Sequence, residues 1–303
     1  MSVTTRPSLQ DVLDEPAMDL LWPRAALMQI ADAAIAPTEV ISGVYGNRGA
    51  QRWQGTMTYL RLVAGSDDES IALLVREVNR LHARVRVPGG SSGRRRPVFE
   101  STNQAWVAAS WFQSLIDTYR LLIGPIDDDW LDVLLADFGR VGGILQMRTG
   151  DWPVGYPAFS RYVRAQEMRY PVHLPRSPRG ADPEQYLPGD VAAQVFSTYS
   201  LPRGKVARMP VVRLLSWGMA GEVLREVYET PWTSQHQQRF ESEADRLRRR
   251  QLRRPAGWRR RPAVRQRRRV ERALREHSAQ SPPGRAGRGG ADMTTDDEEG
   301  HTR

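Results

Sequence analysis

The hydrophobic and polar positions follow a helical repeat along most of the chain. The first run, LLWPRAALMQIADAAIAPTEV over residues 20–40, is apolar nearly all round, as expected for a helix buried on most sides. The runs at residues 101–125 and 126–143 have Ser, Thr, Asn or Asp near their start and Gly or Pro at their end, which are typical helix boundaries. Further helices are predicted at about residues 50–64, 67–86, 101–125, 126–143, 156–170, 190–199, 205–228 and 234–252. No run alternates apolar and polar residues convincingly, so the pattern predicts an all-α fold.

The composition divides the chain into three parts. Residues 1–18 are a polar, proline-containing lead-in, and residues 277–303 have the composition of a disordered tail. Between them, residues 19–276 are predicted to form a single multi-helix domain that becomes rich in arginine from residue 246. The chain is long enough, and at 40% hydrophobic residues apolar enough, to bury a substantial core.

The positive charge is concentrated in one segment. The net charge is +9, but residues 241–277 hold 15 arginines against 5 acidic residues, so the first 240 residues are close to neutral. Lys205 is the only lysine, and GC-rich coding explains such a preference for arginine most simply. Residues 246–275 could still bind nucleic acid or an anionic surface, which would make the chain a non-enzymatic binding protein. The alternative is a solvated basic extension, because proline interrupts the helical pattern there.

Several classes of chemistry are excluded by what the sequence lacks. With no cysteine there are no disulfides, thiolate nucleophiles, iron–sulfur clusters or covalently attached c-type haem. No run of 18 apolar residues predicts a transmembrane helix, and the N-terminus has no pattern of a secretory signal. A cytoplasmic location is therefore expected. Motifs of serine hydrolases, zinc proteases and P-loop proteins are not found.

His82 is the only histidine in the first half of the chain. The helix predicted at residues 67–86 has an apolar face formed by Ile71, Leu74, Val75, Val78 and Val85. Because His82 follows Val78 by four residues, it lies on that face and is directed toward the core. Such a histidine is either a buried neutral imidazole bonded to a carbonyl or an axial ligand of a buried iron. The residues alone leave both interpretations open.

The preceding helix carries polar residues on its inward face. Arg52, Thr56, Tyr59 and Val63 are spaced four, three and four residues apart and so share one face. A buried arginine needs a partner, because an unpaired buried charge is costly. That partner is either a carboxylate of the chain or an anionic group of a bound molecule, such as a haem propionate or iron-bound dioxygen.

The order of these motifs is similar to that of one enzyme family. ALMQIADAAIAPTEV precedes the R-x-x-x-T of RWQGTMTYL, and AGSDDES, VNRLHARVR and, after a loop, AWVAASWFQS follow. This order resembles the catalytic domain shared by the mpaB-type oxygenases and the latex-clearing rubber oxygenases. The resemblance is clearest from about Leu20 to Trp130, and a weaker likeness continues in WGMAGEVLREVYETPW.

The resemblance implies a partly globin-like helical core that binds haem b non-covalently and uses O2 as co-substrate. His82 matches the family's proximal iron ligand. Arg52 and Thr56 match the R-x-x-x-T pair beside the haem pocket. The expected function is therefore a haem-dependent oxygenase with His82 on the iron and Arg52 and Thr56 as catalytic and cofactor-binding residues. A haem carrier or sensor without turnover would use the same residues.

Departures from the family pattern narrow the expected activity. Gly55 stands where the rubber-cleaving members have a lysine before the signature threonine. The glycine usual shortly after H-x-x-V is displaced, since the glycines begin at Gly89. Glu39 is the candidate for the distal glutamate. Because the rubber-cleaving members are exported and no signal is seen here, the expected substrate is a hydrophobic small molecule rather than polyisoprene.

Overall fold

The computed structural model describes residues 6–41, 49–82, 86–87, 96–97, 101–144, 147–178, 187–196 and 209–280. The side chains of residues 39–41, 49–52, 81–82, 86–87, 96–97 and 279–280 lie outside that description.

The described residues are almost entirely helical, which confirms the all-α prediction. Their α-helices are α1 (Leu9–Leu13), α2 (Leu21–Ala31), α3 (Ala36–Ile41), α4 (Gly49–Gly65), α5 (Asp68–His82), α6 (Ser101–Leu122), α7 (Asp128–Ile144), α8 (Tyr156–Glu167), α9 (Pro188–Gln194), α10 (Met209–Val227), α11 (Ser234–Leu252) and α12 (Ala256–Gln280). Two 3-10 helices span Pro16–Leu20 and Thr149–Asp151. Two-residue strands β1 (Arg86–Val87) and β2 (Arg96–Pro97) pair antiparallel.

Helix α2 forms the centre of the core. Every residue from Leu21 to Ala31 is buried, as the apolar run predicts, and α2 packs mainly against α6 and α10. The predicted helix over residues 20–40 is interrupted after Ala31. There the Asp32 carboxylate accepts a hydrogen bond from the backbone N–H of Ala34 at 2.8 Å. Such a local side-chain bond competes with helix continuation, and the chain turns before α3 begins.

Helices α6, α7 and α8 are joined by an aromatic cluster. The ring of Phe112 on α6 lies 5.3 Å from that of Phe138 on α7 and 5.0 Å from that of Phe159 on α8, measured between centroids. Trp152 stacks on Phe138 at 6.2 Å, and its indole N–H donates to the backbone oxygen of Leu135. These rings bury large apolar areas and fix the three helices relative to one another.

The N-terminal residues belong to the core from residue 9 onward. Ser8 caps α1, because its hydroxyl accepts from the Asp11 N–H while the Asp11 carboxylate accepts from the Ser8 N–H. Leu13 and Met18 are fully buried. The helical domain therefore begins inside the polar lead-in outlined for residues 1–18, because α1 is a short amphipathic helix whose apolar positions are interspersed among polar ones.

The arginine-rich segment forms α11 and α12. Helix α12 packs against α4, α5 and the first 3-10 helix, and it continues through Pro262. The inner face of α12 binds carboxylates of the body, so the interpretation as a solvated extension is wrong for that face.

Within the described residues, no helix is both long enough and apolar enough to cross a membrane.

Helix α10 contains a sharp break. Gly221 has φ 78° and ψ 174°, a backbone conformation that is essentially restricted to glycine. Two carbonyls before the break accept hydrogen bonds from arginine side chains: Trp217 O from Arg225 at 3.1 Å and Met219 O from Arg24 at 2.7 Å. The break therefore supplies backbone acceptors to the buried core.

Candidate functional site

Helix α4 carries the candidate residues Arg52 and Thr56 in its first half. Tyr59 and Val63 are buried, and the Tyr59 hydroxyl donates to the backbone oxygen of Val141 at 2.8 Å. Burial raises the pKa of Tyr59 well above its usual value, so this phenol stays a neutral donor. Thr56 is half-buried, and no described residue hydrogen-bonds to its hydroxyl. The Arg52 side chain lies outside the described residues, so its pairing stays a prediction.

Helix α5 ends at His82. Its first turn carries Asp68 and Glu69, whose negative charges interact favourably with the positive end of the helix dipole. Leu74 is buried and Val78 packs against the core, as predicted for the apolar face of this helix. The His82 side chain is outside the description, and so is that of Glu39 on α3. Both assignments stay predictions.

Helix α6 holds two buried indole N–H groups, those of Trp106 and Trp111, that have no hydrogen-bond partner among the described residues. The Trp111 ring lies 6.3 Å from the Tyr59 ring, beside the face of α4 that bears Thr56. Trp106 lies 6.2 Å from Tyr162 on α8. Because buried donors are rarely left unpaired, these two N–H groups are candidate donors to an acceptor atom of a bound molecule.

A buried arginine on α2 was not anticipated from the motifs. The Arg24 guanidinium donates to Met219 O at 2.7 Å and to the Ser114 hydroxyl at 3.0 Å, and it lies 3.0 Å from the Asp117 carboxylate. All three nitrogens are therefore partnered, as a buried guanidinium requires. Arg24 ties α2 to α6 and α10 and is not free to hold a ligand. A single arginine inside the apolar run of residues 20–40 was the signal that could have revealed it.

Tyrosine side chains complete the end of α2. Tyr170 donates to Met28 O at 3.1 Å and Tyr228 donates to Leu27 O at 2.6 Å. The last four carbonyls of a helix lack intrahelical donors, so Tyr170 satisfies that of Met28, and Tyr228 adds a hydrogen bond to the carbonyl one residue earlier. Burial raises the pKa of Tyr170 far above its usual range, which keeps it protonated. Glu167, at the end of α8, adds a half-buried carboxyl whose pKa is also raised by burial.

The described residues form an all-α domain, and its motifs occur in the order found in an oxygenase catalytic domain. The chain belongs to the family described as ER-bound oxygenase mpaB/B'/rubber oxygenase, catalytic domain, whose family model matches residues 9–258. The match starts at the first residue of α1 and ends at the third residue of α12, so it spans the core and leaves most of α12 outside.

Two mycobacterial proteins are similar to this chain. Uncharacterized protein Mb2261 of Mycobacterium bovis and uncharacterized protein Rv2237 of Mycobacterium tuberculosis are each 26% identical to it over 231 residues, which covers 73% of this chain and 84% of each relative. No solved structure matches the chain. The family model therefore carries the functional information.

Proposed function

We propose that this chain is a haem-b-dependent oxygenase that acts with O2 on a hydrophobic small molecule, with His82 as the axial ligand of the iron. The proposal rests on one observation: the chain belongs to an oxygenase family, and His82 stands where that family's motif has its histidine. The histidine of the family motif ends α5, one turn beyond the core-packed Val78. Neutral imidazole is a common iron ligand, and the core side of a helix end suits that role.

The described residues fit a haem better than a bare metal ion. Among them, no group of three or more His, Asp or Glu side chains could hold a metal. A haem brings its own ring nitrogens and needs as little as one axial side chain. Helix α4 offers the buried apolar residues Met57 and Leu60, and α6 offers Trp111 with its unpaired N–H. An apolar, aromatic lining with a few spare donors suits a flat apolar ring with polar edges.

When bound, the haem would supply the reactivity toward O2, while the protein supplies the ligand, the orientation and a water-poor pocket. Arg52 and Thr56 hold an anionic group at the polar side of the pocket through hydrogen bonds, of which the arginine's are charge-assisted. The Thr56 hydroxyl is suited to this role because no described residue forms a hydrogen bond with it. Gly55 lacks the amino group that a lysine would provide at this position. Another side chain must therefore accept or donate protons during the reaction, and Glu39 is the candidate.

The first experiment is a visible absorption spectrum of the haem-supplemented protein in three forms: wild type, His82→Ala and His173→Ala. His173 is an exposed histidine 3.2 Å from Glu229 and serves as the matched control. We expect a Soret band in wild type and in His173→Ala, and a lost or shifted band in His82→Ala, because only that variant removes the iron ligand.

The possible results separate the alternatives. Full haem loading of His82→Ala would remove His82 as the ligand. If none of the three forms shows a Soret band, the protein has the family fold without its cofactor, and His82 is a core histidine. If haem binds, O2 consumption with hydrophobic compounds distinguishes an oxygenase from a carrier or sensor, which would release no oxidised product.

A further inference from the structure

Helix α12 has two faces that use arginine differently. On the inner face, Arg259 and Arg260 bind the fully buried Glu15 carboxylate, each with a nitrogen 2.8 Å from one of its oxygens. Arg267 donates to the backbone oxygen of Gly65 at 2.6 Å, and Arg275 pairs with Asp67. These bonds hold α12 against the body in one orientation, so the opposite face is displayed to solvent.

The outer face is a row of arginines. Its members are exposed and form no ion pair with any described residue: Arg261, Arg265, Arg268, Arg269 and Arg272. Their spacing of four, three, one and three residues places them along one side of the helix over about 16 Å. Between residues 249 and 275 there are 13 arginines and one glutamate, and that glutamate, Glu271, is bonded to Ser66 and Arg267. The remaining acidic residue near the row is Glu276, four residues after Arg272, so the row keeps a strong net positive charge.

Apolar side chains are exposed where α11 meets α12. Trp258 is 62% exposed and Leu252 is 42% exposed, and the Arg261 guanidinium lies 4.4 Å above the Trp258 ring. A groove of about 540 Å³ opens beside them. Its lining includes the apolar residues Pro16, Leu247 and Pro262 and the arginines Arg250, Arg253 and Arg254. The buried amide nitrogen of Gln251, also in the lining, has no hydrogen-bond partner among the described residues.

We propose that this surface docks on an anionic lipid bilayer. A helix anchored on one side presents the arginines of its other side in a row, which suits a layer of anionic headgroups. Exposed tryptophan and leucine next to basic residues are the side chains that enter the headgroup region of a membrane. The groove is lined by guanidinium groups, an unpaired amide donor and apolar side chains, and these suit a phosphate or carboxylate attached to a hydrocarbon chain.

Nucleic acid is the less favoured partner for the same surface. It would use the arginines, but it gains nothing from the exposed Leu252 or the apolar residues that line the groove, and Arg261 already covers one face of Trp258. The inference does not depend on haem binding, since none of its residues belongs to the site around α4 and α5.

The test is co-sedimentation of the full-length protein with vesicles of phosphatidylcholine, either alone or with about one third phosphatidylserine. Wild type is expected to bind only the anionic vesicles, and added salt should weaken this binding. Changing Arg261, Arg265, Arg268, Arg269 and Arg272 to Gln should weaken binding by about tenfold or more. Trp258→Ala should also weaken it, and because the loss is apolar, the salt dependence should stay as in wild type.

A matched control removes five exposed arginines from other surfaces: Arg76, Arg140, Arg161, Arg164 and Arg239, each changed to Gln. This variant has the same net charge as the first and should bind as well as wild type to within about twofold. Circular dichroism and thermal unfolding verify that both variants fold. Equal loss in the two variants would mean that only net charge matters and would overturn the assignment. So would absence of vesicle binding together with salt-sensitive binding of DNA or RNA through the same five arginines.

Discussion

Glu167 shows how burial of one carboxyl couples protonation to stability. It lies at the end of α8, where burial raises its pKa, the Arg24 guanidinium lowers the pKa in part, and Asp117 raises it further. A carboxyl with a raised pKa binds its proton more tightly in the folded than in the unfolded chain. Its contribution to stability is therefore full below the ordinary glutamate pKa of 4.5 and is lost as the pH rises through the folded-state pKa.

We expect Glu167→Gln to be more stable than wild type at neutral pH, because the variant carries no charge that must be buried. The gain should shrink as the pH falls toward 4.5. Urea unfolding of both proteins across this range measures the difference. Glu222→Gln, which changes an exposed glutamate, is the matched control and should shift the free energy of unfolding by less than about 1 kcal/mol. A gain for Glu167→Gln that does not vary with pH would contradict the assignment.

Sequence reasoning at the level of single residues identifies motif residues but not their surroundings. The spacing of Arg52, Thr56 and Tyr59 predicts one face of a helix, and Tyr59 is indeed buried there. It does not reveal that Arg24 is held by Met219 and Ser114, which are 195 and 90 residues away. Partners so distant in sequence leave no local pattern.

Helices are predicted well where apolar periodicity and capping residues agree, and less well where a side chain changes the backbone. Helix α4 spans Gly49–Gly65 against a prediction of 50–64, and α11 is found at Ser234–Leu252 as predicted. The long run of residues 20–40 is divided because the Asp32 carboxylate binds the Ala34 N–H. The break at Gly221 could not be predicted either, because a glycine within an apolar helical run does not reveal which backbone angles it adopts.

We expect Gly221→Ala to destabilise the protein by about 1–3 kcal/mol, because φ 78° and ψ 174° strain any residue with a Cβ. No atom lies within 4 Å of the Cβ position, so the whole cost is backbone strain. The control is Gly143→Ala in α7, where the Cβ position is also open and the backbone is helical. That change should leave stability unchanged or raise it by up to about 1 kcal/mol. Equal effects of the two substitutions in urea unfolding would argue against the break.

At the scale of the whole molecule, α12 packs against the first elements of the described chain and is bound to Glu15 there. Its inner face includes Ala263, Arg267, Val270 and Leu274 at spacings of four, three and four, which is a packing pattern. The large number of arginines obscures that pattern in the sequence. Only the structure shows which arginines pair inward, because Glu15 lies 244 residues before Arg259. The sequence therefore predicts the charge of this segment but not its division into two faces.

Glu15 is the hydrogen-bond acceptor that holds α12 against the N-terminal elements. Its carboxylate is fully buried and receives hydrogen bonds from Arg259 and Arg260. Glu15→Ala leaves two largely buried guanidinium groups without this partner, and loss of one member of a buried ion pair costs about 3–5 kcal/mol. Glu243→Ala, which removes the same side chain from the more exposed pair with Arg246, should cost no more than about 1 kcal/mol. Urea unfolding compares the two variants. A loss of similar size in both would mean that α12 is not held to the N-terminal helices through Glu15.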